Sequence, residues 1–268
     1  MLEEDMELGS IIAKARKDKN MSQLVLAGEI GVSAEAISKW EKGVYQPNPD
    51  NLEQLEKVLH LSYYDDDGAQ RSGRIFDENR MSAFLNGKFA SGKFPNAKAA
   101  LSYAKEKHRT SKPRRGPGNV PYINHPLTMT CHALAMGLED DALLAAILLH
   151  DVTEECGISP ADMPVCEEAR EIVALVSKPQ EGYDAKKYFD AIAENPKACM
   201  VKCIDRCNNL TTMASGFSPA KRAEYIEETK TWYPRLLRIV KSRPEYNNAA
   251  WLLKYQIKSL LETAEKIK

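Results

Sequence analysis

Along most of the chain apolar residues recur three and four positions apart, the period of an α-helix with one buried face. Ile11, Ile12 and Ala15 form one such group, Leu24, Leu26, Ala27 and Ile30 a second, and Leu52, Leu55, Val58 and Leu59 a third. No stretch of any length alternates apolar and polar residues as a half-buried strand does. The pattern predicts helices over 77–85, 96–108, 125–136, 139–153, 166–177, 184–194, 196–213, 218–241 and 245–267. Three segments interrupt it. "YYDDDGAQRSGR" (Tyr63 to Arg74) is acidic and poor in aliphatics, and "NGKFASGKFPN" (Asn86 to Asn96) reads as a loop. "RTSKPRRGPGNVP" (Arg109 to Pro121) has three prolines and two glycines, which exclude regular helix. The expected architecture is all-α: a small five-helix domain over 1–62, a linker and connecting helix over 63–93, and a larger all-helical domain over 94–268.

Within that pattern one run stands apart. "LLAAILLHDVTEEC", Leu143 to Cys156, drives a fully apolar helix straight into His150, Asp151, Glu154 and Glu155. Ionisable groups at the end of a buried helix need partners, water or a metal. Read as one helix, residues four apart stack, so Glu154 falls over His150 and Glu155 over Asp151.

Composition narrows the setting. The chain has 268 residues, 43% hydrophobic and 28% charged, with a net charge of −1, which gives no whole-molecule field toward nucleic acid or acidic membranes. No span approaches the roughly 20 apolar residues of a membrane helix, and the acidic "MLEEDMELGS" lacks the layout of a signal peptide. A cytoplasmic protein with no membrane partner and reduced thiols is expected. Cys199, Cys203 and Cys207, four apart on one helix face, read as small buried side chains.

In the first 62 residues Ser22 is placed to cap a short helix that Gly31 ends, and Ser33 to cap a second that Gly43 closes. Two short helices joined by a glycine-containing turn form a helix-turn-helix. The "SQ..LA...GVS...IS.WE.G" pattern resembles the Cro/repressor-type DNA-binding domains over about 55 residues. The resemblance implies a second helix in the major groove of double-stranded DNA, Gln23 on backbone or base, Glu35 and Lys39 at base edges, and a homodimer. This segment carries seven basic and eleven acidic residues, so phosphate contacts fall to the local "KARKDK" patch, Lys14 to Lys19.

Three further motifs bear on His150. "PYINHP" puts His125 at a helix start, "MVKCIDRCNNL" puts Asp205 and Asn209 on one helix face, and "KPRRGPG" places Arg114 and Arg115 shortly before His125. Two His and two Asp make a mixed nitrogen and oxygen set that suits Mn²⁺, Fe²⁺ or Zn²⁺ better than Ca²⁺. "KHR…RR.P…PYINHP", "AAILLHDVTEE" and "VKCIDRCNNL" together resemble the HD superfamily of phosphohydrolases, and more narrowly the Rel/SpoT-type and small alarmone hydrolases, over about residues 94–240.

By that resemblance His125, His150, Asp151 and Asp205 hold a metal, with Mn²⁺ expected and other divalent ions admitted. Asp151, Glu154 and Glu155 orient or deprotonate water and handle the leaving group's proton. Arg114 and Arg115 contact base and phosphates, Asn209 contacts the nucleotide, and Tyr225 or Thr229 lines a sugar pocket. The implied reaction is hydrolysis of the 3′-pyrophosphate of (p)ppGpp. A transcription regulator with a nucleotide-sensing, non-catalytic HD domain and a hydrolase of another phosphorylated nucleotide are the alternatives. Glu155 stands where the family usually has Asp, and guanine against adenine stays open. Trp232, Tyr233 and Trp251 read as core or interdomain packing, and His108 and His132 have no motif partner.

Overall fold

The computed structural model describes residues 8–45, 47–59, 76–111, 120–179 and 181–266. Among them every regular element is helical, and none is long and apolar enough to cross a membrane. The chain forms two compact units, Met1–Ala69 with Asp77–Ser91, and Gln70–Phe76 with Gly92–Lys268. The expected linker core, His60, Arg114 and Arg115 lie outside the described residues.

The smaller unit holds α1 (Leu8–Asp18), α2 (Gln23–Ile30), α3 (Ala34–Glu41), α4 (Pro49–Leu59) and α5 (Glu78–Phe89). Ser22 Oγ accepts the Val25 N–H and Ser33 Oγ the Ala36 N–H, satisfying donors that the first helical turns leave open. Between the two helices Gly31 turns the chain at φ +73°, a conformation that disfavours side chains. Ile12, Leu26, Ile37 and Leu55 are wholly buried around Trp40, and Ala83 of α5 joins that cluster. Glycine is required at position 9, where a Cβ would lie 2.4 Å from the Trp40 carbonyl oxygen. Beside this core Arg16 grips both carboxylate oxygens of Glu41, at 2.6 and 3.0 Å.

The larger unit comprises α6 (Pro95–His108), α7 (Asn124–Ala135), α8 (Asp141–Leu149), α9 (Val152–Cys156), α10 (Glu167–Val176), α11 (Ala185–Ala193), α12 (Pro196–Gly216), α13 (Pro219–Lys241) and α14 (Asn247–Lys266). Every residue of α8 from Ala142 to Leu149 is buried, as a helix apolar on all sides must be. Around it pack α6, α7, α10 and α12.

Three expectations change. The helix expected over 139–153 is two, because α8 stops at Leu149 and α9 starts at Val152. The loop expected from Asn86 starts later: α5 continues to Phe89, whose ring is 1% exposed and gains burial by extending the helix. Trp251 is not core. It is 60% exposed and stacks on Tyr255 at 5.8 Å, whereas Tyr233 is buried and Trp232 stacks on Phe189.

Candidate metal centre

The break between α8 and α9 builds the site. His150 ends α8, and Asp151 sits at φ −100°, ψ −4° before α9 begins, in the bridge region where active-site residues recur. The single helix expected through His150 and Glu154 is therefore interrupted. The Glu154 carboxylate accepts the Lys178 backbone N–H at 2.8 Å.

His125 comes from the first turn of α7 and Asp205 from α12. His125 Nε2 lies 3.1 Å from Asp205 Oδ1 and 3.6 Å from Asp151 Oδ2. His150 Nε2 lies 3.1 Å from Asp151 Oδ2 and 3.9 Å from Asp205 Oδ1. The structure thus brings together the four side chains expected from the sequence, with His125, His150 and Asp205 buried and Asp151 partly so.

Whether this set fits a cation is decided by its protons. His150 Nδ1 lies 2.9 Å from the Ile147 carbonyl oxygen, which can only accept, so the N–H of the neutral ring is there. His125 Nδ1 is 2.6 Å from Asn208 Oδ1, which fixes the second ring the same way. Each Nε2 then faces a carboxylate, and His125 Nε2 is within hydrogen-bonding geometry of Asp205 Oδ1 at 3.1 Å. His150 Nε2 is buried without a hydrogen bond despite its distance to Asp151, since the alignment is wrong. His125, His150, Asp151 and Asp205 would together fit a divalent cation, and imidazole rings fixed through Nδ1 are the usual ligand arrangement.

The two aspartates favour positive charge at this point, which either a proton on His150 or a cation would supply. Burial works against charge on His150, yet Asp151 and Asp205 push its pKa up to about 9. Burial likewise opposes ionisation of Asp151 and Asp205. His150 nevertheless holds Asp151 well below the carboxylate range, and Lys202 with His125 does so for Asp205. Crowding by surrounding protein, with Asp151 adding to it, raises Glu154, although its side chain stays open to solvent, which tempers the shift. Glu155 is exposed on the same turn.

Other expected residues have other engagements. The Asn209 side-chain amide donates to Asp205 Oδ1. Thr229 is buried, donating to the Tyr225 carbonyl at 2.6 Å and accepting from Arg206 at 3.1 Å. The Tyr225 ring lies under the Arg206 guanidinium, 3.5 Å from centroid to carbon. In the smaller unit the Gln23 amide donates to Glu41, and Glu35 pairs with Lys39 at 2.7 Å. Four supporting residues were missed. Tyr122 donates to Asp151 Oδ2 at 2.7 Å, Lys202 Nζ donates to Asp205 Oδ2 at 3.1 Å, Asn208 holds His125, and Arg206 meets Glu228. Lys202 and Asn208 flank Asp205 by three positions on α12, a helical-neighbour signal the sequence did carry.

The larger unit thus holds a cluster of two histidines and two aspartates, and the smaller one a helix-turn-helix. The helix-turn-helix family matches residues 12–65. The chain is similar to the guanosine-3′,5′-bis(diphosphate) 3′-pyrophosphohydrolase of Aquifex aeolicus, 29% identical over 146 residues that make 51% of this chain and 20% of the relative. It is 28% identical over 146 residues to the Drosophila melanogaster enzyme of that name, MESH1, covering 50% and 81% of the two chains. Against the bifunctional (p)ppGpp synthase/hydrolase SpoT of Escherichia coli it is 30% identical over 128 residues, 43% of this chain and 18% of SpoT. It therefore spans about a fifth of the long bacterial relatives. The solved structure of a metazoan ortholog of SpoT that hydrolyzes ppGpp superposes with a TM-score of 0.51 at 21% identity, over 63% of this chain and 95% of that one. The larger unit has that fold.

Proposed function

We propose that the chain is a metal-dependent 3′-pyrophosphohydrolase of ppGpp-type nucleotides, with Mn²⁺ as the ion. The observation that carries the reading is the convergence of two buried imidazole Nε2 atoms on two carboxylates, with His150 Nε2 left without a hydrogen bond. A divalent ion held by His125, His150, Asp151 and Asp205 supplies a Lewis acid that makes water nucleophilic near neutral pH. Glu154, oriented by the Lys178 N–H, takes the proton of the attacking water. Its raised pKa suits that task. Phosphoryl transfer asks mainly for positioning and positive charge. Arg114 and Arg115 supply planar donors for base and phosphate in this reading, and Asn209 holds Asp205 in place.

Purified full-length protein with Mn²⁺ and ppGpp releases pyrophosphate, and EDTA stops it. Lack of turnover across guanosine, adenosine and deoxynucleotide phosphates overturns the assignment. The helix-turn-helix is proposed to bind double-stranded DNA through α3 as a homodimer. A gel shift on the DNA upstream of the coding sequence tests it, and no shift at low salt refutes it.

A further inference from the structure

Asp151 Oδ2 lies close to both imidazole Nε2 atoms, at 3.1 Å from His150 and 3.6 Å from His125. The same oxygen accepts the Tyr122 hydroxyl at 2.7 Å. The Tyr122 ring stacks on His108, with centroids 4.9 Å apart and planes 21° apart, and meets His125 edge-on at 6.4 Å. His108 is 3% exposed, with Nδ1 3.2 Å from Ser111 Oγ. A ring so fixed from below and from the side has one direction in which to aim its hydroxyl.

We propose that Tyr122, seated on His108, is a positioning residue that fixes Asp151 as a one-oxygen donor toward the metal and so keeps a coordination position open for water. This rests on the metal-dependent reading above. An aspartate without such a bond rotates about its terminal torsion, which is broad, and chelates through both oxygens, filling the position that water needs. Partners that orient a metal ligand commonly change metal affinity or activity by about 10- to 100-fold when removed. The stack adds rigidity without charge, because burial lowers the His108 pKa to about 4 and keeps that ring neutral.

The test uses full-length protein titrated with Co²⁺, whose visible absorption reports coordination. Tyr122→Phe keeps the ring and removes only the hydroxyl. It changes the band shape and the Co²⁺ affinity about tenfold, and turnover of ppGpp falls while the unfolding midpoint stays put. His108→Ala produces a change in the same direction in the native background and none on top of Tyr122→Phe, because both act through one hydroxyl. His108→Phe, which retains a flat ring, restores native Co²⁺ binding. That arm decides the matter if Tyr122→Phe does not fold. Native Co²⁺ affinity and spectrum in Tyr122→Phe overturn the proposal, with or without a loss of turnover, since turnover alone would place Tyr122 on the substrate. Additive effects of the two substitutions overturn it as well. Failure of the unaltered protein to bind Co²⁺ strikes the metal reading itself, and is distinguishable from both.

Discussion

Asp205→Asn separates what the aspartate does for the fold from what it does for the metal. The Lys202 ammonium donates to Asp205 Oδ2 at 3.1 Å, and both side chains are 9% exposed. Replacing the carboxylate by an amide of the same shape leaves that ammonium buried without its counter-charge. Breaking a buried ion pair from one side costs about 3–5 kcal/mol. The alternative is for Lys202 to release its proton, which for an ordinary lysine at pH 7 costs about 4.6 kcal/mol and offers no cheaper route. The range therefore stands. In calorimetry of chelator-treated protein the transition of the larger unit drops by roughly 6–20 °C.

Asp205→Asn combined with Lys202→Met recovers most of that loss, because the double variant contains no orphaned charge. The pH dependence has a defined sign. Lys202 and His125 depress the folded-state pKa of Asp205 against the opposing effect of burial, so its stabilisation is complete above the ordinary aspartate range near about 4 and disappears as pH falls below it. Native protein and the single variant accordingly converge in acid. A single-variant loss under about 1 kcal/mol, or a double variant no more stable than the single, refutes the account.

Glu154→Gln lowers turnover by about 10²- to 10⁴-fold with metal affinity kept. Native activity falls on the acid side at a pH somewhat above the usual carboxylate range, because the protein around Glu154 raises it even though its side chain meets solvent, and the variant's pH profile lacks that limb. Burial lifts the Cys199 and Cys207 thiols to about 12 and Cys203 well above the ordinary thiol value, so a thiol reagent at pH 8 labels these three only after unfolding. In the smaller unit Glu41→Gln strands Arg16, whose partner side chain is 8% exposed. That unit melts about 3 kcal/mol earlier, while pyrophosphate release by the larger unit persists.

Much of this was legible in the sequence because each clue was local. Ser22, Gly31 and Ser33 act where the capping pattern put them, since a cap is decided by residues three apart. Apolar spacing found the helices of the larger unit to within a few residues, with the exception at His150. There the period continued through Val152, but backbone hydrogen bonding did not. Periodicity reports which side of a helix is buried, and says nothing of a change in direction between two buried residues. Trp251 misled for a related reason: an aromatic next to Leu252 and Leu253 looks like core, yet on α14 only Leu253 of the three points inward. His108 and Tyr122 escaped because their partners, each other and Asp151, are distant in the chain or hidden by a loop.

The pairing of buried charges supports placing the proposed cation beside Asp151. Along α12 the Lys202 ammonium is matched by Asp205, and the Arg206 guanidinium by Glu228. The Arg206–Glu228 pair closes on itself, whereas Asp205 meets Lys202 with one oxygen and His125 with the other. Asp151 has a different company: a tyrosine hydroxyl and two imidazoles, each fixed through Nδ1 to an oxygen elsewhere. None of these brings a permanent positive charge. Asp151 is therefore a carboxylate whose accepting oxygen faces two imidazoles, with Glu154 on the next turn. Protonating His150 offsets it only partly, and only below the pKa of about 9 that the aspartates impose. A divalent ion offsets it at every pH at which the imidazoles are free to bind, which is why the balance of charge and the count of protons lead to the same four residues.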